Sequence, residues 1–167
     1  TLSTTGTCTS GNAVLRISSS SNAHAEATSV SPATAEYVSL CCTDLSLQSS
    51  GVCSGNNVFV SLYDTTNSHV SFGGDTQGHF DAANPDNYSN KQCITKAGST
   101  IECKIYSSNY PTGANDTCVL SLSDNTNAHV TPCTGPNPYA LRVYCGTGLP
   151  ASMCGNGTID AGEACDP

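Results

Sequence analysis

The chain has 167 residues, room for one ordinary domain with a single core, and its 11 cysteines point to disulfides formed in an oxidising compartment. Charged residues make up only 11% and the net charge is −8, with Arg16, Lys91, Lys96, Lys104 and Arg142 as the sole basic side chains. That balance offers no basic footprint for a nucleic-acid backbone. No run approaches the 18 or more consecutive apolar residues of a membrane-spanning helix, and no charged and apolar leader opens the chain, which reads as beginning after signal removal. Serine and threonine hydroxyls, rather than charges, are expected to solvate the surface.

In chain order, the opening Thr1-Leu2-Ser3-Thr4-Thr5-Gly6-Thr7 is β-prone and lies outside the repeat that follows. It is expected to add as a strand to the sheet edge of a neighbouring copy. Next comes a tripeptide that recurs three times: Asn22-Ala23-His24, Asn67-Ser68-His69 and Asn127-Ala128-His129, spaced 45 and 60 residues apart. When the asparagines are superimposed, Ile17, Leu62 and Leu122 stand five residues before them. Leu15, Val60 and Leu120 stand seven before, and Ala13, Val58 and Cys118 nine before. Arg16, Ser61 and Ser121 interrupt these rows, so the period is two, that of a strand with one buried face.

Each unit then reaches a tyrosine and a cysteine: Tyr37 to Cys41 and Cys42, Tyr88 to Cys93, Tyr139 to Cys145. Units are accordingly placed at about 8–45, 53–95 and 115–146 within a β domain spanning 1–148, with a small cysteine-rich module opening at 149–167. Between His69 and Tyr88 lies a segment rich in turn formers, expected to be an exposed loop. Residues 100–107 alternate with Ile101, Cys103 and Ile105 in phase, and predict an extra strand between units two and three. The expected fold is all-β and disulfide-stapled: a β-sandwich or a pseudo-threefold barrel, with the unequal unit lengths favouring the sandwich.

The tail has a different texture. Cys154, Gly155, Asn156 and Gly157, followed by Gly162, Glu163, Cys165 and Asp166, match the C-G-N-G…G-E-x-C-D pattern. Over about 14 residues the tail resembles the Myxococcus-type cysteine-rich repeat. That resemblance implies an extracellular protein of microbial origin, a calcium-stabilised loop and a chain continuing beyond Pro167. The three-unit region resembles secreted Asn-Ala-His repeat proteins of poorly characterised microbial lineages, which carry no assigned activity.

Eleven is odd, so at least one cysteine has no partner within the chain. The repeat suggests Cys8 with Cys41 or Cys42, Cys53 with Cys93, Cys103 with Cys118 and Cys133 with Cys145. Cys42 shares the phase of Val38 and Leu40 and is expected to point inward, leaving Cys41 to hold the tail through Cys154, with Cys165 the odd one. The absence of any C-x-x-C pair argues against a cysteine zinc site and against C-x-x-C-H haem attachment.

Three groups of residues could carry chemistry. His24, His69 and His129 occupy one equivalent place, so a threefold arrangement could bring three imidazoles to one zinc ion. The preferred reading is a turn in which each Asn bonds nearby backbone and each His packs on a strand end. Asp64 and Asp124, three residues before their asparagines, have Ser19 as the counterpart in unit one, which favours turn capping over acid–base pairing. Asn156, Asp160, Glu163 and Asp166 offer hard oxygen ligands suited to calcium, or equally serve as solvated turn formers. Asn87, Asn115 and Asn156 open N-x-S/T sequons that would accept sugar in a glycosylating organism.

No G-x-S-x-G, H-E-x-x-H or P-loop string is present. The chain is therefore expected to be a non-enzymatic extracellular structural protein that self-associates into a filament, pilus-like fibre or sheath. The alternatives are an adhesin or carbohydrate-binding module using residues 73–87, and a three-histidine zinc hydrolase. Calcium is the one cofactor suggested.

Overall fold

A computed structural model of the chain describes residues 2–3, 8, 11–48, 53, 55–75, 78–107 and 116–147. The described residues form strands and loops without a helix: β1 (Leu2–Ser3), β2 (Asn12–Ile17), β3 (Ala25–Glu26), β4 (Val38–Cys42), β5 (Ser46–Leu47), β6 (Val58–Leu62), β7 (Val70–Ser71), β8 (Asn90–Thr95), β9 (Glu102–Tyr106), β10 (Thr117–Leu122), β11 (Val130–Thr131) and β12 (Leu141–Gly146). They make three antiparallel sheets, ordered β1-β4-β2-β3, β5-β8-β6-β7 and β9-β12-β10-β11. Each sheet therefore has the same plan: an outer strand, then the last strand of the unit, then the strand leading into Asn-x-His, then the two-residue strand that follows it. The expected all-β, disulfide-stapled fold is present. Of the two arrangements considered, the three sheets follow the threefold one, because the unequal lengths fall in the loops 27–37, 72–89 and 132–140, outside the paired strands.

The sheets are joined where the short strands meet. Ala23 bridges Val130, Ala25 bridges Ser68 and Val70 bridges Ala128, so the residue after each repeat asparagine pairs with the residue three after another. Six backbone hydrogen bonds of 2.8–3.0 Å close this triangle. Ala23, Ser68 and Ala128 are all buried there, which explains why the middle of each tripeptide is small. A further bond runs from Ala27 N–H to Thr65 O (2.8 Å) and from Phe72 N–H to Asn125 O (2.7 Å). The third equivalent position is Pro132, which has no N–H to give, so the third junction lacks this bond.

A bulge recurs in the same place in all three sheets, between Ala13 and Leu15, Val58 and Val60, and Cys118 and Leu120. The extra residue of each, Val14, Phe59 or Val119, is buried beside its neighbour Leu15, Val60 or Leu120. Strict alternation thus fails at this point, and Ala13 and Cys118 are only half-buried. The polar row is not solvated either. Ser61 and Ser121 are fully buried and bond to Ser71 O and to Thr131. In unit one Arg16 takes this place and pairs at 2.9 Å with Glu26, the counterpart of Ser71 and Thr131. Burial pushes the Glu26 carboxyl up, but Thr34 hydroxyl and backbone N–H together with Arg16 outweigh it and hold the group below the usual carboxylate range.

Several expectations are corrected here. Cys53–Cys93 pairs as anticipated and, of the two partners considered for Cys8, Cys41 rather than Cys42 bonds it; the other two bridges are Cys103–Cys145 and Cys118–Cys133. The reason is register: β9 is the outer strand of unit three rather than a spacer, and it lays Cys103 directly opposite Cys145. Cys41 is buried and bonded to Cys8, so it does not reach for the tail; Cys42 is buried and free. Burial raises the Cys42 thiol above its ordinary range, which keeps it protonated and unreactive. The four disulfides among the described residues are of the kind that form under oxidising conditions. No helix is long and apolar enough to cross a membrane among the described residues.

The opening segment also differs from expectation. β1 is paired within the chain, with Leu2 opposite Leu40 and Ser3 opposite Ser39. Nor is the 73–87 segment a free loop. Gly73, Gly78, His79 and Phe80 are buried. His79 bridges Lys104, and Ile105 N–H donates to Gly78 O (3.0 Å), so the segment covers the outer edge of β9. Phe72 and Phe80 pack edge to face at 5.6 Å between ring centres. Gly73 packs closely, since a Cβ there would lie 2.3 Å from the Asn84 amide nitrogen and would force that side chain to shift.

Candidate metal centre

The three hairpins that carry Asn-x-His share a closing geometry. Ser18, Tyr63 and Ser123 N–H groups donate to the carbonyls of His24, His69 and His129 at 2.9–3.2 Å. Asn22, Asn67 and Asn127 adopt φ of 49°, 47° and 49°, the left-handed region that asparagine tolerates better than other residues bearing a Cβ. That kink turns each histidine back toward the junction of the three sheets. At the hairpin tips Asp64 and Asp124 accept from the N–H groups of Thr65 (2.6 Å) and Asn125 (2.7 Å), and Ser19 Oγ accepts weakly from Ser21. They cap turns, and neither carboxylate joins the other.

The imidazoles converge. His24 Nε2 lies 3.1 Å from His129 Nε2 and 3.1 Å from His69 Nε2, and ligand atoms of the three rings all fall within 4.8 Å of one another. Ring centres are 4.7–5.0 Å apart, with His24 and His129 parallel and His69 steeply inclined to both. Three nitrogens about 2.05 Å from a tetrahedral ion would stand about 3.3 Å apart. The two 3.1 Å separations from His24 Nε2 fall about 0.2 Å short of that figure.

The asparagines do not bond nearby backbone, as the turn reading expected; Asn67 and Asn127 reach across to the histidine of the preceding unit. Asn67 Oδ1 lies 2.6 Å from His24 Nδ1, and Asn127 Oδ1 lies 2.5 Å from His69 Nδ1. Tyrosine hydroxyls approach the same oxygens: Tyr37 to Asn67 (3.4 Å), Tyr88 to Asn127 (3.4 Å) and Tyr139 to Asn22 (3.0 Å). With a carbonyl oxygen at Nδ1, the ring proton of His24 and of His69 sits on Nδ1 and leaves the Nε2 lone pair free to face the other rings. Burial, and then the neighbouring His69 and His24, hold His129 below the ordinary imidazole range and favour the neutral ring. Burial likewise raises the Tyr37 and Tyr88 hydroxyls, with Glu26 adding to the first, and Tyr63 and Asp86 to the second, so both remain proton donors.

The tyrosines are the functional partners that sequence reasoning used only as strand markers. Their recurrence after every Asn-x-His was the available signal. Buried Ser61 and Ser121 orient two of them, accepting from the N–H groups of Tyr88 and Tyr139 at 3.0 Å.

Other predicted sites fare differently. Asn87 is not presented as a glycan acceptor: its Nδ2 donates to Gly73 O (2.9 Å) and Asp81 O (2.6 Å), and its Oδ1 accepts from Gly73 N–H (2.6 Å). Asn115, the calcium set Asn156, Asp160, Glu163 and Asp166, and Cys154 and Cys165 lie outside the described residues. Among the described residues, His24, His69 and His129 form the only group able to hold a metal ion, and no carboxylate belongs to it. No protein-family model, curated protein or solved structure matches this chain.

Proposed function

We propose that this chain is an extracellular structural protein that self-associates into a surface filament or sheath through the outer edge of its first sheet. The observation that carries this reading is the way outer strands are handed on. β5 follows β4 and enters the second sheet; β9 follows β8 and enters the third. The first sheet takes its outer strand, the two-residue β1, from the segment ahead of Cys8, where it pairs with β4. Exchange of β1 between copies keeps every backbone hydrogen bond while linking subunits, because the donor register is unchanged. Low charge and four disulfides suit an assembly exposed to the exterior.

The Cys8–Cys41 bridge makes the idea testable, since exchange would turn that bond from intramolecular to intermolecular. Native secreted material run without reductant should give a ladder of covalent multimers that collapses to one band in Cys8→Ser, with fibres visible by electron microscopy. A single monomer band together with dispersed particles would refute it.

A further inference from the structure

We propose that His24, His69 and His129 bind one divalent transition-metal ion of the zinc, nickel and copper class through their Nε2 atoms, clasping the three repeat units at their common axis. Each histidine comes from a different sheet, and the Nε2 atoms of His69 and His129 both lie 3.1 Å from that of His24. Two lone pairs at that distance repel unless a cation or a proton lies between them. The Nδ1 atoms of His24 and His69 are committed to Asn67 and Asn127, so Nε2 is the free ligand atom. An oxygen acceptor on the far ring nitrogen is the outer-shell arrangement that fixes tautomer and raises ligand basicity in metal sites. Tyr37 and Tyr88 brace the same two oxygens, and Tyr139 braces Asn22, so a second layer supports the first.

The donor set selects the ion. Three imidazoles suit zinc, copper and nickel, whereas calcium and magnesium demand oxygen ligands. The asparagines are exposed and the rings half-buried. A fourth coordination position therefore opens to solvent and accepts water or a small anion. The ion's role is a cross-link: it ties three loops separated by 45 and 60 residues, as a disulfide would, without needing the opposed Cβ atoms that a threefold axis cannot supply.

The test uses the oxidised, untagged full chain titrated with zinc chloride at pH 7.5. Calorimetry should show one ion per chain, and the thermal midpoint should rise with zinc. His24→Gln should lose this uptake, and Asn67→Gly, which keeps the left-handed backbone and removes the positioning oxygen, should weaken it 10- to 100-fold. Because a variant may misfold, nitrogen-15 spectra of the unaltered chain provide an independent reading. The Nε2 signals of His24, His69 and His129 should shift on zinc addition while His79, bonded at 2.8 Å to Glu102, stays fixed. Absence of uptake at millimolar zinc, uptake undiminished in His24→Gln, or a shift confined to His79 would each overturn the proposal.

Discussion

Asn67 combines two demands in one side chain: a left-handed backbone and an oxygen for His24. The substitutions that separate them should differ. Asn67→Ala should destabilise the fold by about 1–2 kcal/mol, mostly because alanine lacks the local polar contacts that let asparagine tolerate that region. Asn67→Gly should cost less than half as much, since glycine accepts the backbone and only an exposed hydrogen bond is lost. Thermal unfolding of the pair checks the order; equal losses would mean that the backbone conformation carries no cost. Glu26 offers a pH handle. Its folded pKa is depressed, so its contribution is fully present above the unfolded value of about 4.3 and disappears as pH falls through the lower folded value. Urea midpoints of the unaltered chain should therefore converge on those of Glu26→Gln below pH 4 and exceed them at pH 6. Arg16→Ala, which leaves Glu26 buried without its cation, should cost about 3 kcal/mol.

At the level of strands, the recurrent bulge places Phe59 in the core with no exposed surface. Phe59→Ala should cost about 3–5 kcal/mol by chemical denaturation, through lost burial and the cavity left behind. The disulfides rank by the loops they close: removing Cys103–Cys145, across 42 residues, should cost about 4 kcal/mol, against about 3 for Cys118–Cys133, across 15. A reversed order in paired Cys→Ala variants would show that unfolded-chain entropy does not set their value. β9 shows why strand existence is easier to read than strand partnership. The alternation over 100–107 announces a strand, but its place beside β12 depends on residues some 40 positions later.

For the whole molecule, the triangle of bridges implies all-or-none assembly. A fragment ending at residue 95 would leave Ala23 and Val70 without their partners Val130 and Ala128 and would open the shared core. Such a fragment should lack a cooperative thermal transition by circular dichroism; a sharp melt would show that two units suffice. The repeat itself was legible because each unit meets the same environment, so equivalent residues are held to equivalent types. Hydrophobic period two, the Asn-x-His turns and the need for disulfides all follow from local chain geometry and composition. Convergence of the three imidazoles does not. Whether equivalent histidines meet at a point or lie apart on a sandwich depends on how the sheets close, and that rests on backbone bonds between residues 43 to 107 positions apart. Local periodicity in the amino-acid sequence thus determined the strands, turns and repeat of this protein. Only the tertiary structure decided the cysteine partners, the inward turn of Ser61 and Ser121, and the meeting of His24, His69 and His129, because each is a product of long-range register rather than of neighbouring residues.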